Sequence, residues 1–269
     1  MAEDLLQALA GRWALVTGAT GGIGKAFCEA LAAAGLDLVA VARQAEPLAQ
    51  LAARIEEGGT RCLPLAQDLA APDCGERLRQ AVEAEGIEIA LLVNNAGIGH
   101  WGAFESADAG TLARLVQVDA QAPVLLCRAF EPHLARQAPA AAVINVSSQA
   151  AYQPVPWMAV YGAAKAFVHS FSLALYEEWR ERGIHVQTLV PGPTESGFDQ
   201  RAGAYRTAKP IRREPPEKAV KASLAGLAKR KPVVASVGGI YGQRLFAGLF
   251  PPALVTREVA KMFRPLDEG

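Results

Sequence analysis

The sequence predicts an α/β fold of about seven strands, a doubly wound parallel sheet with helices on both faces, and three observations carry that expectation. Short apolar runs alternate with longer helical patterns at regular spacing. The inner runs, such as Ile89-Ala90-Leu91-Leu92-Val93, are continuously apolar, as strands covered on both faces must be. The 269 residues are 51% hydrophobic and only 20% charged, which is enough for a large core and excludes a disordered chain.

Strands are expected at 13–16, 37–42, 61–66, 89–94, 142–147, 184–190 and 232–236, and helices starting near Ile23, Glu46, Pro72, Asp108, Pro156 and Pro215. The helix from Asp108 to about Arg136 contains Pro123, which should remove a hydrogen bond and bend it. Residues 1–269 read as one domain. Segment 191–231 is taken as a substrate lid, because Pro, Gly, Arg and Thr crowd its first half, and 238–269 as a C-terminal tail. The apolar run Leu245–Val255 is broken by Pro251-Pro252 and too short for the ~20 residues of a membrane span, so it reads as a buried or subunit-contact segment.

Lys plus Arg and Asp plus Glu are 27 each, so no overall charge draws the chain to nucleic acid or an anionic membrane. The cysteines Cys28, Cys62, Cys74 and Cys127 form no CxxC pair and do not cluster with histidines, so neither a metal site nor a disulfide framework is indicated. The acidic start and the absence of an apolar leader lead us to expect a cytoplasmic protein.

Directly after the first expected strand comes Thr17-Gly18-Ala19-Thr20-Gly21-Gly22-Ile23-Gly24, with four glycines in the seven residues 18–24. A tight strand-to-helix turn needs such residues so that the main chain can approach a pyrophosphate, and the helix start offers free N–H groups and a positive dipole end. The pattern points to dinucleotide binding in a Rossmann-like fold. At the end of the second strand, where an acidic residue would hold the ribose hydroxyls of NAD, stands Arg43. A guanidinium suits the 2′-phosphate of NADP, so NADPH is the expected cofactor and NAD the lesser one.

Two further elements concern protons. Ser147-Ser148 follows the fifth strand, and Tyr161 and Lys165 are four residues apart on an expected helix, projecting from one face. A free tyrosine has a pKa of about 10, which a neighbouring ammonium lowers, so Tyr161 is expected to act as general acid and base. Ser148 is placed to hold the substrate oxygen.

With these residues in order, the chain resembles the short-chain dehydrogenase/reductase family in its single-domain form. The family's TGxxxGxG, NNAG, Ser, YxxxK and PG elements fall at 17–24, 94–97, 148, 161–165 and 191–192. The resemblance implies that Tyr161 is the proton donor, that Lys165 also binds the nicotinamide ribose, and that Ser148 orients the substrate. It implies a cofactor site made by Gly18, Thr20, Gly22, Ile23, Gly24, Arg43, Asp68, Leu69, Asn94, Ala96, Gly97, Tyr161, Lys165, Pro191, Gly192 and Thr194. The family usually carries an asparagine in the fourth helix that helps hold a proton-relaying water. Here that position is Asp119, counted among the catalytic residues. A working relay, a slower enzyme and a non-catalytic NADP-binding regulator all remain open, with working catalysis favoured.

On the substrate side, Phe198, Tyr205, Ile98, Trp101, Gln149 and Trp157 are candidate lining residues. Arg201, Arg206, Lys209, Arg212 and Arg213 read as a solvated basic face, with an anionic substrate or carrier such as an acyl thioester as the alternative. His100 lacks a catalytic partner at familiar spacing. The expected function is NADP(H)-dependent oxidation and reduction of a small-molecule carbonyl or secondary alcohol. A nucleotide-sugar epimerase or dehydratase is the competing class, disfavoured by the chain length and by NNAG. The resemblance also implies a homodimer or homotetramer pairing helices 108–136 and 156–182.

Overall fold

The computed structural model describes residues 4–203 and 212–265. After a short helix α1 (Leu5–Ala8), strands and helices alternate as β1 (Trp13–Thr17), α2 (Gly22–Ala33), β2 (Asp37–Ala42), α3 (Ala45–Glu57), β3 (Cys62–Ala66), α4 (Cys74–Ala84) and β4 (Ile89–Asn94). The second half runs α5 (Ala109–Val116), α6 (Ala122–Gln137), β5 (Ala141–Val146), α7 (Ala159–Arg180), β6 (Ile184–Val190), α8 (Phe198–Arg201), α9 (Pro216–Ala228) and β7 (Val233–Ala235). It ends with α10 (Ile240–Leu249) and α11 (Pro252–Phe263).

The seven strands form one parallel sheet in the order β3-β2-β1-β4-β5-β6-β7. Successive strand residues serve opposite cores: Ala14, Val16, Leu91, Val93 and Ile144 pack with α2, α3 and α9, while Leu15, Leu92, Val143 and Val186 pack with α4, α6 and α7. This period-two division of wholly apolar strands is why the sheet must be covered on both faces. The winding reverses between β1 and β4, so the loops after these two strands diverge from the sheet side by side and leave a crevice at its C-terminal edge.

Three expectations are corrected. The helix expected over 108–136 is interrupted by a π-helical turn, Gln117–Gln121, closed by Ala122 N–H donating to the Gln117 carbonyl. Pro123, just beyond, has no N–H to give the Asp119 carbonyl, so the wider turn absorbs the lost bond. The lid does not extend to 231: α9 buries Ala219, Val220, Leu224 and Leu227, the last three in the sheet core. In the apolar run 245–255, expected to be buried or to contact a subunit, the buried alternative is set aside: Leu245, Phe246, Leu249, Phe250 and Leu254 are exposed, and only Val255 is deeply buried. No helix among the described residues is long and apolar enough to cross a membrane.

Candidate active site

The crevice opens into a cavity of about 970 Å³ lined from both halves of the sheet. Its floor is the glycine loop. Gly18 has φ +65°, and a Cβ there would lie 2.9 Å from the Ala96 Cα, so only glycine lets the loops after β1 and β4 touch. Asn95 fastens the two loops, its side-chain amide donating to the Thr17 carbonyl at 2.8 Å while its N–H donates to the Thr17 hydroxyl at 2.9 Å. Loop and helix start thus present main chain to the cavity, which fits a pyrophosphate.

Of the expected cofactor residues, Gly18, Thr20, Gly22, Ile23, Gly24, Arg43, Asp68, Leu69, Ala96, Gly97, Tyr161, Lys165, Pro191, Gly192 and Thr194 line this cavity. Asn94 does not. As the last residue of β4 it points into the sheet, donating to the Asn145 side-chain oxygen at 2.8 Å, and Asn145 donates on to Ser172 at 2.9 Å. Asn94 therefore braces the strand ends, and its neighbour Asn95 reaches the cavity.

At the β2 end, Arg43 is exposed on the cavity wall. Beside it is Arg114, which no local motif singles out: it reaches from α5 to grip both Asp68 carboxylate oxygens at 2.8 and 2.9 Å. Burial works to raise the Asp68 pKa, but the Ala70 N–H, Arg114 and Arg43 together hold it below the ordinary carboxylate value. This end of the cavity is therefore rich in fixed positive charge.

The chemical residues meet where β5 leads to α7. Ser148 ends the turn after β5, with its hydroxyl accepting from Ala150 N–H at 3.1 Å. Tyr161 lies in the first turn of α7, and Lys165 follows one turn on, its ammonium 5.6 Å from the Tyr161 ring centre. Lys165 donates to the Val146 carbonyl at 3.2 Å and forms an ion pair with Asp119 at 3.1 Å. The π turn swings Asp119 inward, where its other oxygen accepts from Ile98 N–H at 2.7 Å. Gly97 makes room, since a Cβ there would sit 3.1 Å from the Asp119 carboxylate and 3.3 Å from the Lys165 ammonium.

Asp119 is wholly buried and does not line the cavity. It meets the cavity residues through its ion pair with Lys165. Although burial opposes charge on Lys165, Asp119 and then Tyr161 hold its pKa above the ordinary lysine value, so the ammonium is kept. The expectation that Lys165 lowers the Tyr161 pKa is corrected in its net result. Burial pushes the phenol up, Lys165 pulls it down, Asp119 adds to the rise, and Ser148 favours the ionised form without reversing it.

Among the lining candidates, Ile98, Trp101, Gln149 and Phe198 face the cavity. Trp157 instead borders a small separate pocket with His100, whose Nε2 lies 3.2 Å from the Ala103 carbonyl. Tyr205, Arg206 and Lys209 lie outside the described residues. Arg213 pairs with Asp199 at 2.6 Å, while Arg201 and Arg212 line the cavity. The sequence reading missed Val259, Met262 and Phe263 of α11, which complete the far wall.

A glycine-floored crevice at the switch point of a doubly wound sheet, with Ser148, Tyr161 and Lys165 on one wall, is the arrangement of a dinucleotide-binding fold. The profile of the short chain dehydrogenase family matches residues 12–206, and the chain belongs to that family. It is 32% identical over 194 residues to the very-long-chain 3-oxoacyl-CoA reductase of Mus musculus, with 70% of this chain and 61% of that protein covered. The chain thus spans less than two thirds of that relative's length. The short-chain dehydrogenase of Sphingobium yanoikuyae in complex with NADPH superposes with TM-score 0.78 at 31% identity, covering 89% of this chain and 96% of the other. A short-chain dehydrogenase/reductase of Burkholderia phymatum in complex with NAD shares the fold at TM-score 0.79 and 24% identity, over 88% and 93% of the two chains.

Proposed function

We propose that the protein is an NADP(H)-dependent oxidoreductase that moves a hydride between the nicotinamide and a carbonyl or secondary alcohol, with Tyr161 as general acid and base. The observation that carries this reading is the convergence of Ser148, Tyr161 and Lys165 on one cavity wall beside the glycine cradle. The bound cofactor would supply or accept the hydride. Ser148 holds the substrate oxygen, and Tyr161 gives that oxygen a proton as negative charge grows on it and takes the proton back in reverse. Lys165, kept charged by Asp119, offsets part of the cost of a phenolate in a buried site.

This assignment sets a pH dependence. Below its pKa, Tyr161 holds the proton that carbonyl reduction consumes, and burial raises that pKa from its ordinary 10.0. The reduction rate should therefore be flat through neutral pH and fall only in strong alkali, while alcohol oxidation, which needs the phenolate, should climb with pH. Initial rates measured in both directions check this, and a reduction rate that fell between about pH 6 and pH 8 would contradict it.

The preference for NADPH rests on Arg43, which has no ion-pair or hydrogen-bond partner among the described residues and stands beside the Asp68–Arg114 pair. Arg43→Ala should raise the KM for NADPH by about tenfold or more, the loss of one charge-assisted contact, and leave that for NADH unchanged. Equal effects on both cofactors would show that Arg43 does not read the 2′-phosphate. We also propose a homo-oligomer, supported by the exposed Val116 on α5 and Phe167 on α7, apolar residues on the two helices expected to pair.

A further inference from the structure

Positive charge is in excess around the cavity. Among the described residues four arginines line it, Arg43 and Arg114 at the β2 end and Arg201 and Arg212 from the segment after β6, against two carboxylates, Asp68 and Asp199. Both carboxylates are already matched. Arg114 grips Asp68, and Arg213, which does not line the cavity, pairs with Asp199 at 2.6 Å. Arg201 donates to the Ser196 carbonyl at 3.2 Å, and neither it nor Arg212 has an ion-pair partner among the described residues.

The fold brings these two cations toward the reacting end. Arg201 closes α8, three residues beyond Phe198, whose ring lies 5.0 Å from that of Tyr161. After burial and the charges of Lys165 and Asp119, Asp199 on the same helix adds to the rise of the Tyr161 pKa, so charge on α8 reaches the phenol. Arg212 belongs to a second arm tied to the first. The Glu195 N–H donates to the Glu214 carbonyl and the Glu214 N–H to the Pro193 carbonyl, both at 2.9 Å. Gln149 and Gln153 line the same cavity as Trp101 and Phe263, so it offers polar as well as aromatic contacts.

The cofactor's phosphates have other partners in the reading above, the glycine loop for the pyrophosphate and Arg43 for the 2′-phosphate. Two further cations on one cavity raise its positive potential, which a bound anion relieves. Guanidinium groups pair with carboxylate or phosphate oxygens two at a time.

We propose that Arg201 and Arg212 form an anion subsite for the substrate, which is a ketone or secondary alcohol carrying a carboxylate or a phosphate. The proposal rests on the carbonyl and cofactor assignments of the preceding section. It makes two side chains of the lid the readers of substrate charge.

The test uses the full chain with NADPH and matched pairs of ketones. Acetoacetate, levulinate and 7-oxooctanoate are each compared with their methyl esters, and dihydroxyacetone phosphate with dihydroxyacetone. In at least one pair the anion should be preferred in kcat/KM by about tenfold or more, and added salt should shrink that ratio. Replacing both arginines, Arg201→Ala with Arg212→Ala, should bring the ratio to about one and remove its salt dependence. Restoring charge with Arg201→Lys and Arg212→Lys should recover part of it. Should the double alanine variant fail to fold, Arg212→Ala alone provides the reading, since its side chain is exposed and should still lower the ratio by about threefold.

Neutral ketones turned over as well as their anionic counterparts in every pair overturn the proposal, as does a ratio that survives in the variants. NADPH affinity, measured by fluorescence titration, separates the two sources of an anion. Weaker NADPH binding in the double variant, with anion and neutral ketone falling alike, would assign the arginines to the cofactor's phosphates and overturn the substrate role. Failure to turn over any ketone with either cofactor would instead overturn the carbonyl reading, and this proposal with it.

Discussion

Replacing Tyr161 by Phe should lower kcat for carbonyl reduction by about 10²–10⁴-fold while changing thermal stability little. The ring makes the packing contacts, with Phe198 at 5.0 Å and with the cluster that includes Met158 and Val155, and Phe keeps them. Only the hydroxyl is lost, and with it the proton delivered to the substrate oxygen. Affinity for NADPH, measured by fluorescence titration, should be nearly unchanged because the glycine loop and Arg43 are untouched. Full activity in this variant would refute the proposed mechanism, and activity lost together with cofactor binding would mean that Tyr161 acts through the cofactor site.

Lys165→Met should have the larger effect on folding. Asp119 is wholly buried, and the Lys165 ammonium at 3.1 Å is its only opposite charge among the described residues, with Ile98 N–H as its other partner. Removing one member of a buried pair leaves an uncompensated charge and costs about 3–5 kcal/mol. The pH dependence of that loss has a definite sign. Burial already raises the Asp119 pKa, and the variant removes the Lys165 charge that works against the rise. A carboxyl whose folded-state pKa is raised binds its proton more tightly when folded, so the associated stability is present at low pH and lost as pH rises through the folded pKa.

The destabilisation by Lys165→Met should accordingly deepen as pH rises above the ordinary carboxylate value of about 4, measured as the shift in urea midpoint against the unmodified protein. Adding Asp119→Asn should recover most of the stability, because the amide oxygen still accepts from Ile98 N–H, but should recover no activity, because the ammonium near Tyr161 is gone. A double variant no more stable than Lys165→Met would show that the ion pair is not the source of the loss. The single Asp119→Asn change asks whether the carboxylate handicaps the enzyme: a rate gain beyond about tenfold would mean that its upward push on the Tyr161 pKa is limiting.

Much of the site could be read directly from the chain because its parts depend on local geometry. The glycine loop sits between a strand and a helix, and Tyr161 and Lys165 share a helix face by spacing alone. The assignment failed where direction rather than position mattered. Asn94 and Asn95 are adjacent, but the last strand residue turns into the sheet toward Asn145 while the next one faces the glycine loop. Arg114 was invisible because its meeting with Asp68 joins residues 46 apart. The net direction of the Tyr161 shift needed burial to be weighed against two opposing charges, which spacing cannot supply.

The sequence by itself determined the alternation of strand and helix, the phosphate-facing loop and the spacing of Tyr161 and Lys165. Each follows from residues within a few positions of one another and from the period of apolar side chains. Only the tertiary structure decided that Asp119 is buried against Lys165, that the apolar run near 250 is largely exposed, and that α11 walls the cavity beyond Tyr161. An apolar helix face has the same periodicity whether it meets a core, another chain or a substrate chamber, so its destination is settled by which surfaces the fold brings opposite it.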